Sequence, residues 1–367
     1  MIRVVPPGEL SPADIDSWRS MQSSSPSFAN PFLSPEFAVL VGALRPKTRV
    51  AVLSEGSSVV GFFPFERYRS GAGAPIAAGL TDCQGLVHAP GVRWDARELL
   101  RACRLSAWQF DHLVAGQHAF ERYQAAISPS PIIDLSDGFD PYRKMLASRS
   151  PQFCRNLERK ERKAAREIGN LRFVPDSQDA LAFRALLAWK SVQYRKTGQV
   201  DIFARPWVAD LMRSLFAYRG DAFSGLLSVL YADETPVAAH FGLRGGGILA
   251  HWFPAYDVQY GKYSPGLILH MRMAEFTPGV GVRIIDLGTG VNRYKEELKS
   301  GDIFVGAGMV TTASPLAAVH RARTVGGRWM VETIKQNPRL LLAAGFLRKA
   351  YRSARNAHAR SLAPRSA

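Results

Sequence analysis

The chain has 367 residues, of which 47% are hydrophobic and 21% are charged, so it is long enough for two domains and can bury a substantial core. No stretch approaches the roughly 20 apolar residues that a membrane-spanning helix needs, the first residues lack the apolar core of a signal peptide, and the three cysteines match no disulfide or zinc-ligand spacing. The formal net charge of +16 favours anionic partners, and these features together predict a cytoplasmic protein without a metal cofactor.

The first half of the chain mixes strand and helix patterns without a long break. Apolar runs on either side of Glu55-Gly56-Ser57 predict a hairpin, and Ser11 followed by Pro12 predicts a capped helix start. In chain order we predict a helix over 11–20, strands over 49–54 and 58–66, a helix over 95–103, strands over 108–114 and 123–135, and a helix over 139–147. This order predicts an α/β subdomain over residues 1–147.

The second half repeats a similar order of elements. It begins with a basic helix over 156–166, followed by a strand over 171–174 and helices over 177–195 and 206–218. Strands over 224–231, 236–243 and 248–254 then precede a helix over 264–276 and strands over 283–287 and 303–311. We predict a second subdomain over 148–312 and a basic helical tail, disordered at its end, over 313–367.

The basic helix carries arginines on one face. Arg155, Arg159, Arg162 and Arg166 recur at i, i+4, i+7 and i+11, and only Glu158 is placed to neutralise that face, by pairing with Arg162. Two interpretations remain open: a solvated helix face, or a site for anions such as CoA phosphates, an acidic glycan or a membrane surface. The patch has no interleaved aromatic residues of the kind that stack on nucleic acid bases.

A loop with two glycines stands before the helix over 264–276. A helix N-terminus offers free N–H groups and the positive end of a dipole, both of which suit a pyrophosphate. Ser264 is expected to cap this helix, and Pro265 suits its first turn. The candidate cofactor-binding residues are Gly261, Lys262, Tyr263, Ser264, Pro265 and Gly266. The alternative is an ordinary helix start after a β-hairpin.

Ionisable residues in the same half of the chain could carry acid–base chemistry. An amine or hydroxyl that attacks a thioester must lose a proton, and the leaving thiolate must gain one. Asp286 ends a buried strand, where a carboxylate is costly unless it is used or paired, and His240 and His251 lie in adjacent predicted strands. Tyr294 could protonate the thiolate, and Lys295 could orient an acidic substrate. The alternatives are that Asp286 caps the following glycine turn and that the histidines belong to the core.

The segment Asp286-Leu287-Gly288-Thr289-Gly290 also matches the opening motif of S-adenosylmethionine-dependent methyltransferases. In those enzymes the motif lies on the first strand of a doubly wound sheet, and several strand–helix units follow. Only one further strand is predicted here before the basic tail. The remaining chain is therefore too short for a methyltransferase.

Four groups of residues, in this order, resemble the GNAT-superfamily acetyltransferase domain found in bacterial polysaccharide and cellulose biosynthesis proteins. They are the basic helix from Asn156 to Arg166, Ala238-Ala239-His240-Phe241-Gly242, the helix start Ser264-Pro265-Gly266, and Asp286 to Gly290 with the pair Tyr294-Lys295. The chain is also similar to FemAB-type transferases, which carry two such domains in tandem. The resemblance implies an α/β (α+β) acyl-CoA N-acyltransferase fold with two GNAT-like subdomains. It also implies cofactor phosphates at the 261–266 loop.

We therefore predict an acyltransferase that uses acetyl-CoA or another acyl-CoA and an amine or hydroxyl of a sugar or cell-envelope polysaccharide precursor. No cysteine lies in a nucleophile motif, so direct attack is expected. The candidate catalytic residues are Asp286, His240, Tyr294 and Lys295. The alternatives are a FemAB-like transferase, for which aminoacyl-tRNA is the expected nucleic acid partner, and a non-catalytic scaffold in envelope polysaccharide synthesis. The basic tail suggests an anionic membrane surface as a further partner and a membrane-peripheral location.

Overall fold

A continuous sheet of 13 strands organises the chain in the computed structural model, which describes residues 1–290 and 292–313. Met1–Val310 form one unit in which helices pack on this sheet, so the predicted α/β class is confirmed. The predicted basic tail, 313–367, lies outside the described residues except for Ala313. In the described part of the chain, no helix has both the length and the apolar character needed to cross a bilayer.

The first half of the chain builds one side of the sheet. Its elements are β1 (Ile2–Val5), α1 (Pro12–Ser23), α2 (Pro35–Leu44), β2 (Thr48–Glu55), β3 (Ser58–Arg67), β4 (Ala72–Ala74), β5 (Val87–His88), α3 (Ala96–Ala102), β6 (Ala107–Leu113), α4 (His118–Glu121), β7 (Gln124–Asp134) and α5 (Phe139–Arg149). All the predicted elements are present. The prediction lacks α2, because this helix is apolar on nearly every face and therefore shows no amphipathic period.

The second half builds the other side. Its elements are α6 (Pro151–Glu167), β8 (Leu171–Val174), α7 (Ala180–Lys196), α8 (Pro206–Ala217), β9 (Phe223–Ala232), β10 (Thr235–Gly245), β11 (Ile248–Tyr256), α9 (Pro265–Phe276), β12 (Ile284–Asp286), α10 (Arg293–Leu298) and β13 (Gly301–Thr311). The predicted start of α7 is three residues too early. Asp179 caps the helix, because its carboxylate accepts from the amides of Leu181 and Ala182 at 2.7 and 3.2 Å.

The two halves exchange strands at the centre of the sheet. The strand order is β1-β2-β3-β4-β6-β13-β7-β12-β11-β10-β9-β8, and β5 pairs with β3. The late strand β13 pairs with β7 of the first half, and β7 pairs with β12 of the second half, in both cases antiparallel. The subdomain boundary between residues 147 and 148 stays a prediction. The sheet itself crosses that boundary, since each half contributes a strand to the centre.

β11 and β12 separate after a short parallel contact. They pair only from Ile248↔Ile284 to Ala250↔Asp286. β11 then continues to Tyr256 in register with β10, whereas β12 ends at Asp286. The edge of β11 that faces away from β10 is therefore not paired with β12 over 251–256. This divergence opens the sheet next to the start of α9.

Buried aromatic side chains hold β11 against the first half of the chain. The rings of Phe32 and Trp252 meet edge-on, with centroids 5.1 Å apart, and the Trp252 indole N–H donates to the Leu80 carbonyl at 2.8 Å. The same core contains residues of α1 and α2 together with residues of α7, α8 and β11. The opening beside β11 is thus supported by both halves.

Candidate active site

The start of α9 differs from the prediction at Ser264. This residue lies in the left-handed region, at φ 55° and ψ 50°, and its side chain makes no cap hydrogen bond with the helix. Its Oγ instead accepts from the Lys160 ammonium of α6 at 2.7 Å. The predicted cap is wrong because a capping side chain reaches the first-turn amides from an extended backbone, which Ser264 does not have. The first turn of α9 is left without a side-chain cap.

The remaining residues of the 261–266 loop divide into two groups. The Tyr263 hydroxyl donates to Glu167 at 2.8 Å, and the Lys262 ammonium lies 3.5 Å from the same carboxylate. Tyr263 and Pro265 are buried, so these side chains tie the loop to α6 and to the core. An adjacent cavity is lined by the other three members of the loop, Gly261, Ser264 and Gly266. Cofactor binding by the loop stays a prediction.

A cavity of about 550 Å³ opens between α7, the end of β11 and the start of α9, and we call it the α7 cavity. Its wall combines aromatic, amide and cationic side chains and contains no carboxylate among the described residues. The polar and aromatic members of the wall include Trp189, Lys190, Gln193, Tyr256, His270 and Tyr294. Such a wall suits an organic ligand that carries no positive charge.

A second cavity, of about 770 Å³, lies between α6, the start of α9 and α10, and we call it the α6 cavity. Its charged lining residues are Arg149, Arg155, Lys160, Arg293 and Glu297. The carboxylate of Glu297 is paired with Arg293 at 2.8 Å. Lys160 donates to the neutral hydroxyl of Ser264 and has no carboxylate partner among the described residues, so the α6 cavity retains positive charge.

Tyr294 and Leu267 line both cavities. Tyr294 belongs to α10, and its ring lies 5.3 Å from the ring of His270, centroid to centroid. Burial raises the pKa of Tyr294 to about 12, so the phenol keeps its proton at neutral pH. A protonated hydroxyl group therefore stands where the two cavities meet.

Three histidines stack beside the α7 cavity. The ring centroids of His240 and His251 are 4.3 Å apart, and those of His251 and His270 are 4.6 Å apart. The Nδ1 of His270 is held by the Gly266 carbonyl, so the neutral ring carries its proton there and its Nε2 is an acceptor. That Nε2 has no partner among the described residues. Burial lowers the pKa of all three rings, to about 4 for His270, so they are neutral at pH 7.

Lys190 reaches the α7 cavity from α7. Its ammonium donates to the Pro254 carbonyl at 3.3 Å and lies 5.5 Å from the centre of the Tyr194 ring. Burial, with a smaller contribution from the nearby cation Lys295, lowers its pKa to about 8. The sequence does not reveal this residue, because a lysine in an amphipathic helix usually points into solvent.

Asp286 lines neither cavity. Its carboxylate is buried and accepts from Asn30 Nδ2 at 3.1 Å, from the Ser130 hydroxyl at 2.8 Å and from the Gly288 amide at 3.0 Å. Burial raises its pKa although these hydrogen bonds oppose the rise. Asp286 therefore caps the turn after β12 by accepting from the Gly288 amide, which is the alternative that the sequence left open. A catalytic role for Asp286 stays a prediction.

Asp286 belongs to a larger polar group, the junction cluster, which consists of Asp82, Asp111, His112, Asp286, Thr289 and Lys295. The Lys295 ammonium is buried and donates to the carbonyls of Gly288 and Thr289 at 2.9 and 2.7 Å. Burial lowers the pKa of Lys295, while Asp82 and Asp286 counteract that effect. Lys295 thus holds the turn between β12 and α10 and does not line either cavity.

His112 links β6 to the same turn. Its Nδ1 lies 2.9 Å from Asp111 Oδ1, its Nε2 lies 2.8 Å from the Thr289 hydroxyl, and Asp82 Oδ1 is 3.7 Å away. Burial by itself would lower the pKa of His112, but Asp111 and Asp82 together raise it. Burial raises the pKa of Asp82 to about 6. The junction cluster therefore connects the two halves of the chain through groups that have partners.

Of the four predicted catalytic residues, Tyr294 lines the α6 and α7 cavities, and the other three line neither of these two cavities. His240 is fully buried, and Asp286 and Lys295 lie in the junction cluster. The sequence missed Lys190 and His270, which line the α7 cavity with Tyr294. His270 follows Gly266 by one helical turn, a spacing that could have placed it near the helix start. No local signal identifies Lys190.

Comparison with known proteins relates part of the second half of the chain to a known family. Residues 151–296 match the family described as "Acetyltransferase (GNAT) domain". No protein in a search of curated proteins matches significantly. FemX has a similar fold, with 10% sequence identity and a TM-score of 0.55 over 86% of this chain and 99% of that chain.

A second solved structure is the C-terminal domain of a protein from Agrobacterium fabrum assigned as a lysylphosphatidylglycerol synthetase. It has 11% identity and a TM-score of 0.50 over 85% of this chain and 96% of that chain. At these identities the two structures show a shared fold. Outside the range that matches the family, β7 and β13 pair next to β12 and continue its sheet. Residues 151–296 thus resemble a GNAT acetyltransferase domain, which indicates that the protein is an acyltransferase.

Proposed function

We propose that the protein transfers an acyl group, acetyl in the simplest case, from acyl-CoA to an amine or hydroxyl of a sugar or cell-envelope polysaccharide precursor. The observation that carries this proposal is that the α6 cavity and the α7 cavity share Tyr294 and Leu267. A donor and an acceptor can therefore approach from two sides and meet at one phenol. The acetyltransferase domain supports an acyl-CoA as the donor.

The α6 cavity fits the phosphate-bearing part of such a donor. Arg155 and Lys160 supply cationic donors, and the uncapped first turn of α9 adds the positive end of a helix dipole. β12 leaves the edge of β11 over 251–256 unpaired, so its backbone groups, other than those of Pro254, whose carbonyl accepts from Lys190, can form hydrogen bonds with an extended amide chain. These features together suit a molecule with phosphates at one end and amides along its length.

The residues at the meeting point can manage the protons of the transfer. The acceptor nitrogen or oxygen attacks the thioester carbonyl and loses a proton, the carbon–sulfur bond breaks, and the thiolate takes a proton. The Tyr294 phenol retains its proton at neutral pH and can donate it to the sulfur. The neutral ring of His270 lines the α7 cavity with Tyr294, so it can pack against the attacking group and help to position it.

Calorimetry with acetyl-CoA tests this proposal. We expect saturable binding by the full chain, and a substitution of Lys160 by Gln should weaken it by roughly tenfold or more, since a charge-assisted hydrogen bond is lost. The matched control is Lys163→Gln on the same helix, because Lys163 pairs with Glu167 at 3.7 Å and lines neither cavity. Absence of binding by the unmodified protein would overturn the proposal.

A second candidate function, transfer from aminoacyl-tRNA, is favoured by the outer face of α6. The pair predicted between Glu158 and Arg162 is wrong: Glu158 lies 3.9 Å from Arg143, and Glu161 contacts Arg272 at 2.6 Å. Both acids are drawn to neighbouring helices, which leaves the arginine face of α6 without a carboxylate partner among the described residues. The exposed arginines of that face are Arg155, Arg159, Arg162 and Arg166.

Fluorescence anisotropy with tRNA distinguishes the two candidates. Binding that falls steeply with salt concentration, together with no affinity for acetyl-CoA, would favour the tRNA-dependent reaction. Tight acetyl-CoA binding without tRNA binding would favour the first candidate.

The sequence of the basic tail also leads us to propose contact with an anionic membrane surface. Deletion of residues 328–367 should then reduce co-sedimentation with anionic liposomes, because most of the tail's basic residues are removed. Unchanged co-sedimentation after the deletion would exclude the tail as the contact.

A further inference from the structure

Lys190 is a partly buried cation for which the described residues offer no anion. Its ammonium makes one hydrogen bond, to the Pro254 carbonyl, and the charged group that bears on it is a second cation, Lys295. Removing a charge from water costs several kcal/mol unless a partner of opposite charge replaces the lost hydration. A site with this imbalance is stabilised when an anionic ligand binds.

The residues that line the α7 cavity also favour an anionic ligand. Lys190 and Lys196 are its cationic lining residues, and the described wall contains no aspartate or glutamate. A protonated amine or amino sugar would find no counter-charge in this wall. An acceptor with a phosphate or carboxylate would find two ammonium groups, one of them partly desolvated.

Apolar surface beside the lysines indicates the rest of the ligand. Trp189 and Lys190 are consecutive on α7, and Tyr256 and Val258 lie across the cavity at the end of β11 and in the turn that follows. Tyr256 and Val258 are unusually exposed for their size, at 44% and 64%. A ring or chain that covers them would remove apolar surface from water.

We infer that the α7 cavity binds an acceptor that carries a phosphate or carboxylate group and that Lys190 is the cation that pairs with this group. The inference rests on the proposed function, because it names the acceptor class of the same site. It assigns Lys190 a positioning role: the ion pair holds the acceptor by its anionic end while the amine or hydroxyl lies near Tyr294 and His270. Those two residues line the same cavity.

Paired probes that differ in charge test the inference by calorimetry on the full chain. The probes are glucose 6-phosphate against glucose, and galacturonate against galactose. We expect each anion to bind at least roughly tenfold more tightly than its neutral partner, as a charge-assisted hydrogen bond implies. Lys190→Gln should abolish this preference, whereas Lys190→Arg should retain it. The control Lys144→Gln changes an exposed lysine of α5 that lines neither cavity.

The pH dependence of anion binding gives a second readout. The pKa of Lys190 is about 8, so the affinity for glucose 6-phosphate should fall as the pH rises through 8, and in Lys190→Arg it should not. A lysine that does not contact the anion would give no such fall, because the affinity would not depend on its protonation state. Among the described residues, the titratable groups that line the cavity or lie close to Lys190 are Tyr194, Lys196, His240, His251, Tyr256, His270, Tyr294 and Lys295.

A lipid headgroup could supply the same anion as a soluble sugar acid. Co-sedimentation with phosphatidylglycerol vesicles, compared with phosphatidylcholine vesicles, separates the two sources. Loss of vesicle binding in Lys190→Gln would assign a lipid acceptor, and loss of soluble-probe binding alone would assign a soluble one. The inference is overturned if neither the anionic sugars nor the phosphatidylglycerol vesicles bind more tightly than the neutral sugars and the phosphatidylcholine vesicles. It is also overturned if Lys190→Gln leaves the preference for the anion unchanged.

A measurement of acetyl-CoA binding distinguishes failure of this inference from failure of the proposed function. If acetyl-CoA binds the unmodified protein and the anionic probes do not, the inference falls and the acyltransferase proposal stands. If Lys190→Gln weakens acetyl-CoA as much as Lys160→Gln does, Lys190 contacts the donor, and the inference falls as well. If acetyl-CoA does not bind at all, the proposed function itself fails.

Discussion

The junction cluster and the α7 cavity both bury ionisable side chains, but only the junction cluster provides them with partners. There, Asp286 accepts three hydrogen bonds and Lys295 donates two. In the α7 cavity, Lys190 meets one carbonyl and no described carboxylate, and the Nε2 of His270 has no described partner. Because an unpaired buried polar group lowers stability, the satisfied cluster indicates a structural role and the unsatisfied wall indicates a ligand.

This comparison weakens the case for Asp286 and Lys295 as catalytic residues. Burial at a strand end predicts a catalytic role for Asp286, and the resemblance to the acetyltransferase domain suggests one for the pair Tyr294-Lys295. The hydrogen bonds of both residues are internal to the turn and the neighbouring strands. Substitutions in each region distinguish an effect on the free energy of unfolding from an effect on kcat, and the expected effects differ in size.

The largest effect is expected at Asp286. Its replacement by Ala leaves the donors on Asn30, Ser130 and Gly288 unsatisfied, so the free energy of unfolding should fall by about 3–5 kcal/mol. Urea unfolding followed by circular dichroism measures this change. The exposed Asp137→Ala should stay within about 0.5 kcal/mol of the unmodified protein. Full stability combined with lost turnover would instead place Asp286 in the chemistry.

The next effect in size is expected at Tyr294. Tyr294→Phe removes the proton donor at the meeting point of the cavities but keeps the ring, so kcat should fall roughly 100-fold or more. The measurement is the rate of CoA release from acetyl-CoA, with water or an acceptor as nucleophile. The affinity for acetyl-CoA should remain within about twofold, because the ring still fills the same space. An unchanged rate would exclude Tyr294 as the acid.

A smaller, pH-dependent effect is expected in the junction cluster. Burial raises the pKa of Asp82 to about 6 in the folded protein from its ordinary value of 3.8, so the folded state binds the proton more tightly. Its contribution to stability is present below about pH 4 and is lost as the pH rises through 6. Asp82→Asn should remove this loss, which is at most about 1 kcal/mol because the side chain is one-third exposed. Urea midpoints at several pH values test this, and parallel curves for both proteins would contradict it.

The smallest effect is expected at His240. Both of its ring nitrogens are buried without described partners, so His240→Leu should leave the free energy of unfolding unchanged or slightly higher. The ring lines neither cavity, and kcat should therefore change by less than about twofold. A large loss of kcat with intact stability would support the catalytic role predicted from the sequence.

Local pattern was sufficient for most elements of the fold. β8 lies where the sequence predicts it, and the hairpin between β10 and β11 turns at Gly246 and Gly247, both of which have positive φ. The apolar α2 and the short α10 were missed, because neither presents an amphipathic period of sufficient length. The cap expected at Ser264 is absent because its backbone is left-handed and its hydroxyl accepts from Lys160 of α6.

The sequence by itself determined the order of strands and helices, and that order carries the likeness to the acetyltransferase domain. Only the tertiary structure decided which ionisable side chains are paired. Asp286 is hydrogen-bonded to Asn30, 256 residues away, and to Ser130, 156 residues away, while Lys190 of α7 reaches the wall that Tyr294 of α10 shares. Hydrogen-bond partners so far apart along the chain cannot be predicted from a local pattern, because they come together only when the strands of the two halves assemble into one sheet.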